Sequence, residues 1–222
     1  MWDNEMIKML LGEGIGATLY MTVFSTVFAY VLGLPMGILL VVTAKNGLRP
    51  NGIVYKTLDI LVNILRSVPF LILLILVIPL TKFIVGKSYG PTATIVPLVI
   101  AAAPFVARLV ESSLQEVDKG VVEAAQSMGA SLWDIIWKVL LAEARTSLIV
   151  GATIALGTIL GYSAMAGVVG GGGLGDIAIR YGYYRYEKEV MIVTVILLVI
   201  LMQILQYVGT VISRRLDKRI TG

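Results

Sequence analysis

An all-α, polytopic membrane protein with five spans and one sizeable polar loop is what this sequence predicts, and three observations carry the prediction. Of 222 residues, 58% are hydrophobic and 14% charged, with a mean hydropathy of +0.90, whereas a soluble domain carries about 25% charged residues. Several apolar runs approach or exceed the roughly 20 residues a helix needs to cross the hydrocarbon core. Between two of them lies a charged, helix-forming stretch, about residues 111 to 146, too short for a soluble domain of its own. The chain therefore reads as one membrane domain over residues 1 to 222.

The first span is placed at Ile15 to Val42, long enough to tilt or project beyond the bilayer. The second is placed at Leu58 to Leu80 and the third at Ala93 to Val110, where Pro97 and Pro104 interrupt the run. The fourth is placed at Ser147 to Val169 and the fifth at Val190 to Ile212. Met1 to Glu13 is mildly polar, carries Asp3, Glu5 and Glu13, and leads into a long apolar run, so it does not read as a cleavable signal.

An odd number of spans puts the two ends on opposite sides. With the N-terminus outside, eleven basic residues, from Lys45 and Arg49 to Lys218 and Arg219, border the inside. Six border the outside, from Lys8 to Lys188. That asymmetry follows the positive-inside rule and predicts N-out, C-in, with the 111–146 loop in the cytoplasm. The same rule accounts for a pI near 9.3, so no nucleic-acid partner is expected. The chain has no cysteine and no histidine, which excludes disulfides, Cys- or His-ligated zinc and Cys or His nucleophiles.

Within the loop, Leu132, Ile135, Ile136 and Val139 recur at the spacing of one helical face. Ser131 is placed to cap that helix, and Asp134 completes a capping-box pattern. Trp133 and Trp137, four apart, form a neighbouring stripe. So much apolar surface outside the membrane needs burial. Two solutions fit the pattern: a groove on another subunit, or the lipid surface with the tryptophans as anchors. Gly129 closes the preceding helix through Val121, Val122, Ala124 and Ala125, and Glu123 is either a tether for the loop or a solvated acid.

Glu123-Ala124-Ala125, with Gly129 four residues after the second alanine, resembles the cytoplasmic signature loop of ABC importer permeases. The loop's later hydrophobic-x-Leu-Pro ending is matched by Val139-Leu140-Leu141-Ala142, with Ala142 where proline is usual. The resemblance extends over nearly the whole chain and closely matches the permeases of methionine importers. It rests on the segments Asn63–Phe70 and Ala101–Arg108, on Gly161-Tyr162-Ser163-Ala164-Met165, and on the run Gly170–Gly175 beside Tyr181-Gly182-Tyr183.

The resemblance implies a homodimeric permease of the bacterial inner membrane, bound to two cytoplasmic ATPase subunits that hold ATP and magnesium. A lipoprotein or periplasmic binding protein would deliver methionine to it, and transport would proceed by alternating access. In that scheme Glu123, Ala124, Gly129, Leu132, Trp133, Ile136 and Trp137 form the ATPase-coupling element. The chain itself carries no P-loop: Gly170 to Gly173 lacks the spacing and the following Lys-Ser or Lys-Thr, so the chain is expected to be no enzyme and to hold no cofactor.

Arg66 lies within the second span, where facing lipid would be costly; a structural ion pair with Asp59 or Glu111, or a substrate carboxylate, would accommodate it. Thr18, Thr22, Ser25 and Thr26 form a polar strip that either packs on a neighbouring helix or lines a path. Gly157, Gly161, Ala164 and Gly167 permit close helix approach. Met165 and Val168 are candidate gate residues, able to seal a narrow pore against a symmetry mate, although ordinary core packing accounts for them as well. Transport of another small amino acid remains an alternative. An ion-coupled secondary transporter fits less well, because no inverted repeat and no deep acidic residue supports it.

Overall fold

The computed structural model describes residues 8 to 216, with the side chain of Lys8 outside the described part. Asp3 and Glu5 of the N-terminal reading, and Lys218 and Arg219 of the charge asymmetry, lie outside the described residues. Every described element is helical. We number the helices α1 (Ile15–Thr43), α2 (Gly52–Ser67), α3 (Phe70–Leu76), α4 (Ile78–Val85), α5 (Pro91–Gln115) and α6 (Lys119–Ser127). Then follow α7 (residues 132–143, with a π-helical middle), α8 (Arg145–Ala166), α9 (residues 173–183) and α10 (Lys188–Leu216). A π-helical turn, Lys8–Gly14, leads into α1.

Among the described residues four helical segments are long and apolar enough to cross a membrane, and the expected second span is a fifth only if a bent pair counts as one. The sequence reading took Leu58 to Leu80 as one straight helix. Instead α2 and α3 meet at 102° across Val68 and Pro69. Proline has no N–H to continue the ladder and pushes the residue before it out of the helical region, and Val68 is extended at ψ 124°. The third span differs in the opposite sense. Pro97 and Pro104, expected to interrupt it, sit buried inside a continuous 25-residue helix.

Helix α5 is the central element. Leu98, Ala102, Val106, Val110 and Leu114, each four residues from the last, are buried along one side of it. Helix α1 lies close against it, because Gly33 and Gly37 present bare backbone there. A Cβ on Gly33 would come within 2.7 Å of the Ala103 carbonyl oxygen, and one on Gly37 within 2.7 Å of the Ala107 carbonyl oxygen. Small residues four apart let two helices approach closely.

Helix α10 packs on α8 in a similar way, with Gly157 against the Met202 methyl group and Gly209 against Thr153. Gly161, expected to serve the same purpose, has open space where a Cβ would stand.

At the end of the bundle away from the 116–144 segment, the glycine run makes a sharp turn. Gly170, Gly172 and Gly173 all have positive φ. The Gly90 N–H donates to the Gly170 carbonyl at 2.9 Å, and the Leu174 N–H donates to Thr18 Oγ1 at 2.9 Å. The polar strip of α1 is only partly satisfied inside the chain, since the Thr22 and Ser25 hydroxyls are buried without a hydrogen-bond partner among the described residues. Thr18, Thr22, Ser25 and Thr26 are all buried, and Thr26 Oγ1 donates to the Thr22 carbonyl at 2.7 Å.

Candidate coupling surface and transport path

The 116–144 segment folds as two short helices on a shared apolar floor. Asp118 caps α6 by accepting the Gly120 N–H at 2.6 Å. The helix ends as the glycine predicts: Gly129 has φ +77°, its N–H donates to the Gln126 carbonyl at 2.9 Å, and the Ala130 N–H donates to the Ala125 carbonyl at 3.1 Å. That pair of bonds is a Schellman ending, and it fixes the turn between the two helices. At the start of α7, Ser131 Oγ accepts the Asp134 N–H at 3.2 Å and donates to the Asp134 carboxylate at 2.5 Å. Lys138 Nζ lies 2.5 Å from the same carboxylate. These contacts hold the Asp134 carboxyl below the usual range, through Lys138 first and Ser131 second.

Burial divides α7 into two faces. Ile135, Ile136 and Leu140 are buried and Leu132 and Val139 half-buried, in the same apolar cluster as Ala125, Val117, Leu114 and Val110. The stripe for which a groove on another subunit or the lipid surface was expected is covered by the chain's own core instead. Outward stand Trp133, 68% exposed, and Trp137, 58% exposed. Val121 and Ala124 of α6 and Met128 at its C-cap are exposed as well, Met128 at 81%. Glu123 is also exposed, and no salt bridge reaches it among the described residues, so the tether expected of it is not made within the chain.

The ion pair expected of Arg66 is made by Arg108. The Arg108 guanidinium grips the Asp59 carboxylate, donates to Asn63 Oδ1 at 2.9 Å, and lies 2.6 Å from Glu111 Oε2. It ties the middle of α2 to α5 seven residues before α5 ends. Both acids named from sequence are in the cluster, but the base comes from α5, where Arg108 and Glu111 lie three residues apart on one helix face. Arg66 stands exposed in the last turn of α2, with no ion-pair partner among the described residues.

Further along, α3 is fastened to α8. Phe70 and Tyr162 stack with ring centroids 4.5 Å apart and planes 5° apart. Val150, Ile154, Gly161, Met165 and Val168 line an exposed face of α8 and the turn after it, in steps of four, seven, four and three. Met165 is 52% and Val168 48% exposed, so within one chain they are not core residues. Among the described residues no group of three or more acidic side chains is gathered as a metal site would require.

The family model of binding-protein-dependent transport system inner membrane components matches residues 29–222. The chain belongs to that family. The family member is a multi-pass inner-membrane component of a transport system, and similarity beyond the family model covers almost its full length. It is 54% identical over 202 residues to the probable D-methionine transport system permease protein MetI of Vibrio cholerae, covering 91% of this chain and 90% of that one. It is 48% identical over 202 residues to the methionine import system permease protein MetP of Bacillus subtilis, covering 91% of each. A chain of the MetNI methionine ABC transporter, solved in an inward-facing conformation, superposes with a TM-score of 0.96 at 46% identity, covering 98% of this chain and all of that one.

Sequence reasoning missed Arg108, the Gly33–Gly37 contact and the outward Met128. Each had a signal: a charged i, i+3 pair inside an apolar span, a small-xxx-small spacing, and a lone apolar residue beside a helix-ending glycine.

Proposed function

We propose that this chain is the membrane subunit of an ATP-driven importer that passes methionine inward by alternating access. What carries the reading is its likeness, over nine-tenths of its length, to permeases named for methionine transport. The chain works as a homodimer, because one copy leaves the α8 face of Gly161, Met165 and Val168 uncovered. A symmetric pair is the commonest closure of such a face, and it brings two copies of Met165 to one axis as an apolar gate.

The N-terminus lies outside and the C-terminus inside, as the basic residues favour, so the 116–144 segment meets the cytoplasm. There two ATPase subunits, which bind the ATP and magnesium, receive Trp133 and Trp137 in a cleft on each. Ile135, Ile136 and Leu140 carry the displacement into α5 through Leu114 and Val110, and Arg108 passes it to α2. An extracytoplasmic binding protein delivers methionine at the glycine-rich end. Coupling requires that these contacts differ between the two states of the motor.

The reading is tested by ATP hydrolysis in nanodiscs containing this chain and its cognate ATPase. A methionine-loaded binding protein should raise the rate, and the same protein loaded with another amino acid should not. A rate indifferent to the binding protein, or an ATPase that fails to assemble with the chain, would overturn it.

A further inference from the structure

The break between α2 and α3 leaves two groups of opposite character on successive residues, the Arg66 side chain and the Leu65 carbonyl. Arg66 is exposed one residue before α2 ends, and no acid pairs with it among the described residues, because Arg108 holds both nearby carboxylates. The Leu65 carbonyl would accept the backbone N–H of residue 69 in a continuing helix, but residue 69 is proline and has none. The end of α2 therefore presents an open carbonyl, at the pole of the helix where the partial charge is negative. A guanidinium beside such a carbonyl is complementary to a zwitterion: one binds a carboxylate, the other an ammonium.

The position of the break matters as much as its chemistry. The Phe70–Tyr162 stack sets it level with α8 one residue from Gly161 and three from Met165, the uncovered face of the chain. Arg108 holds the far part of α2 seven residues below Arg66, about 10 Å along the helix axis. Arg66 thus stands exposed at the α3 end of α2, that distance from the Arg108 cluster and next to the break that the Phe70–Tyr162 stack fastens to α8. A cation within a span and facing lipid is expensive, whereas one facing a water-filled path is not. Interrupted helices at mid-membrane are where transporters can offer backbone groups to a solute.

We propose that Arg66 and the open α2 terminus at Leu65 form a binding site in the permease for the headgroup of the transported amino acid, with Arg66 on its α-carboxylate and the Leu65 carbonyl on its ammonium. This rests on the importer reading above and adds to it a station between the binding protein and the cytoplasm. The site selects an amino acid by its two charges and leaves the choice of side chain to the binding protein.

The test uses the whole complex of permease and ATPase in detergent, without binding protein, and measures equilibrium binding of labelled L-methionine. Norleucine, which keeps both charges, should compete, and methioninamide, which lacks the carboxylate, should not. Arg66→Gln should weaken methionine binding roughly ten- to a hundredfold and abolish the discrimination against methioninamide, with Arg66→Lys intermediate. Co-elution of the Gln variant with its ATPase on size exclusion, at the parent's stoichiometry, shows that the complex is intact. An Arg66→Gln complex that binds and transports methionine as the parent does would overturn the site, as would equal competition by methioninamide in the parent, or no methionine binding to a parent complex that transports it. A parent complex that takes up no methionine in proteoliposomes would instead remove the importer reading itself.

Discussion

Phe70 and Tyr162 stack face to face, 4.5 Å between centroids and 5° from parallel, at the point where the second span turns through 102°. The stack is the aromatic link between the bent segment and α8, and Phe70 is buried beneath it. Phe70→Leu keeps an apolar group in place but removes the aromatic pair, and should lower the unfolding free energy of the detergent-solubilised complex by about 0.5–1.5 kcal/mol. Thermal unfolding of the variant beside the parent checks this.

Arg108 is worth more, because two carboxylates depend on it. Arg108→Gln leaves Glu111, with 8% of its side chain exposed, buried without its cation, and should cost about 3–5 kcal/mol. Adding Glu111→Gln removes the stranded charge and should restore part of that loss. Denaturant unfolding of the two single variants and the double variant measures the coupling.

Gly129 turns the chain with φ +77°, and nothing lies within 4 Å of where a Cβ would stand. Gly129→Ala therefore meets backbone strain alone, about 1–2 kcal/mol, and Gly129→Asn less. Hydrogen exchange over residues 119–143 should show faster opening in the Ala variant, with the spans unaffected.

Trp133 and Trp137 should separate folding from assembly. Their exposure predicts that alanine at either position changes the stability of the permease by less than about 0.5 kcal/mol. Either change should weaken ATPase binding by about 2 kcal/mol, roughly thirtyfold. Titration of the solubilised permease with ATPase reads both effects, and equal affinities would assign the tryptophans to the lipid surface.

Asp134 should make the start of α7 sensitive to acid. Lys138 and Ser131 lower its folded pKa, so the stabilisation it provides is present above the unfolded value, ordinarily 3.8. It is lost as pH falls through the lowered folded value. Exchange rates at residues 132–136 should rise in that window, and Asp134→Asn should remove the dependence.

The long spans were legible because each is a continuous apolar run, and α1, α8 and α10 begin and end within a few residues of where hydropathy puts them. The capped turn at Gly129 and Ser131 was legible because local hydrogen bonding decides it. The bend at Pro69 was not: Arg66, Ser67 and Pro69 break the apolar run there, but a hydropathy average over a whole span smooths the dip, and composition carries no angle. What covers α7 was not legible for a similar reason: periodicity shows that Ile135 and Ile136 share a side, but not that the chain's own core buries it. Arg66 and Arg108 both lie in apolar surroundings in sequence, and only the register of α2 against α5 decides which of them meets Asp59.

The most direct measurement is uptake of labelled L-methionine into proteoliposomes holding this chain and its ATPase, with saturating binding protein outside and ATP on the ATPase side. The account predicts accumulation that requires ATP and is competed by unlabelled methionine. A complex that docks its binding protein and hydrolyses ATP, yet accumulates no methionine, would contradict it.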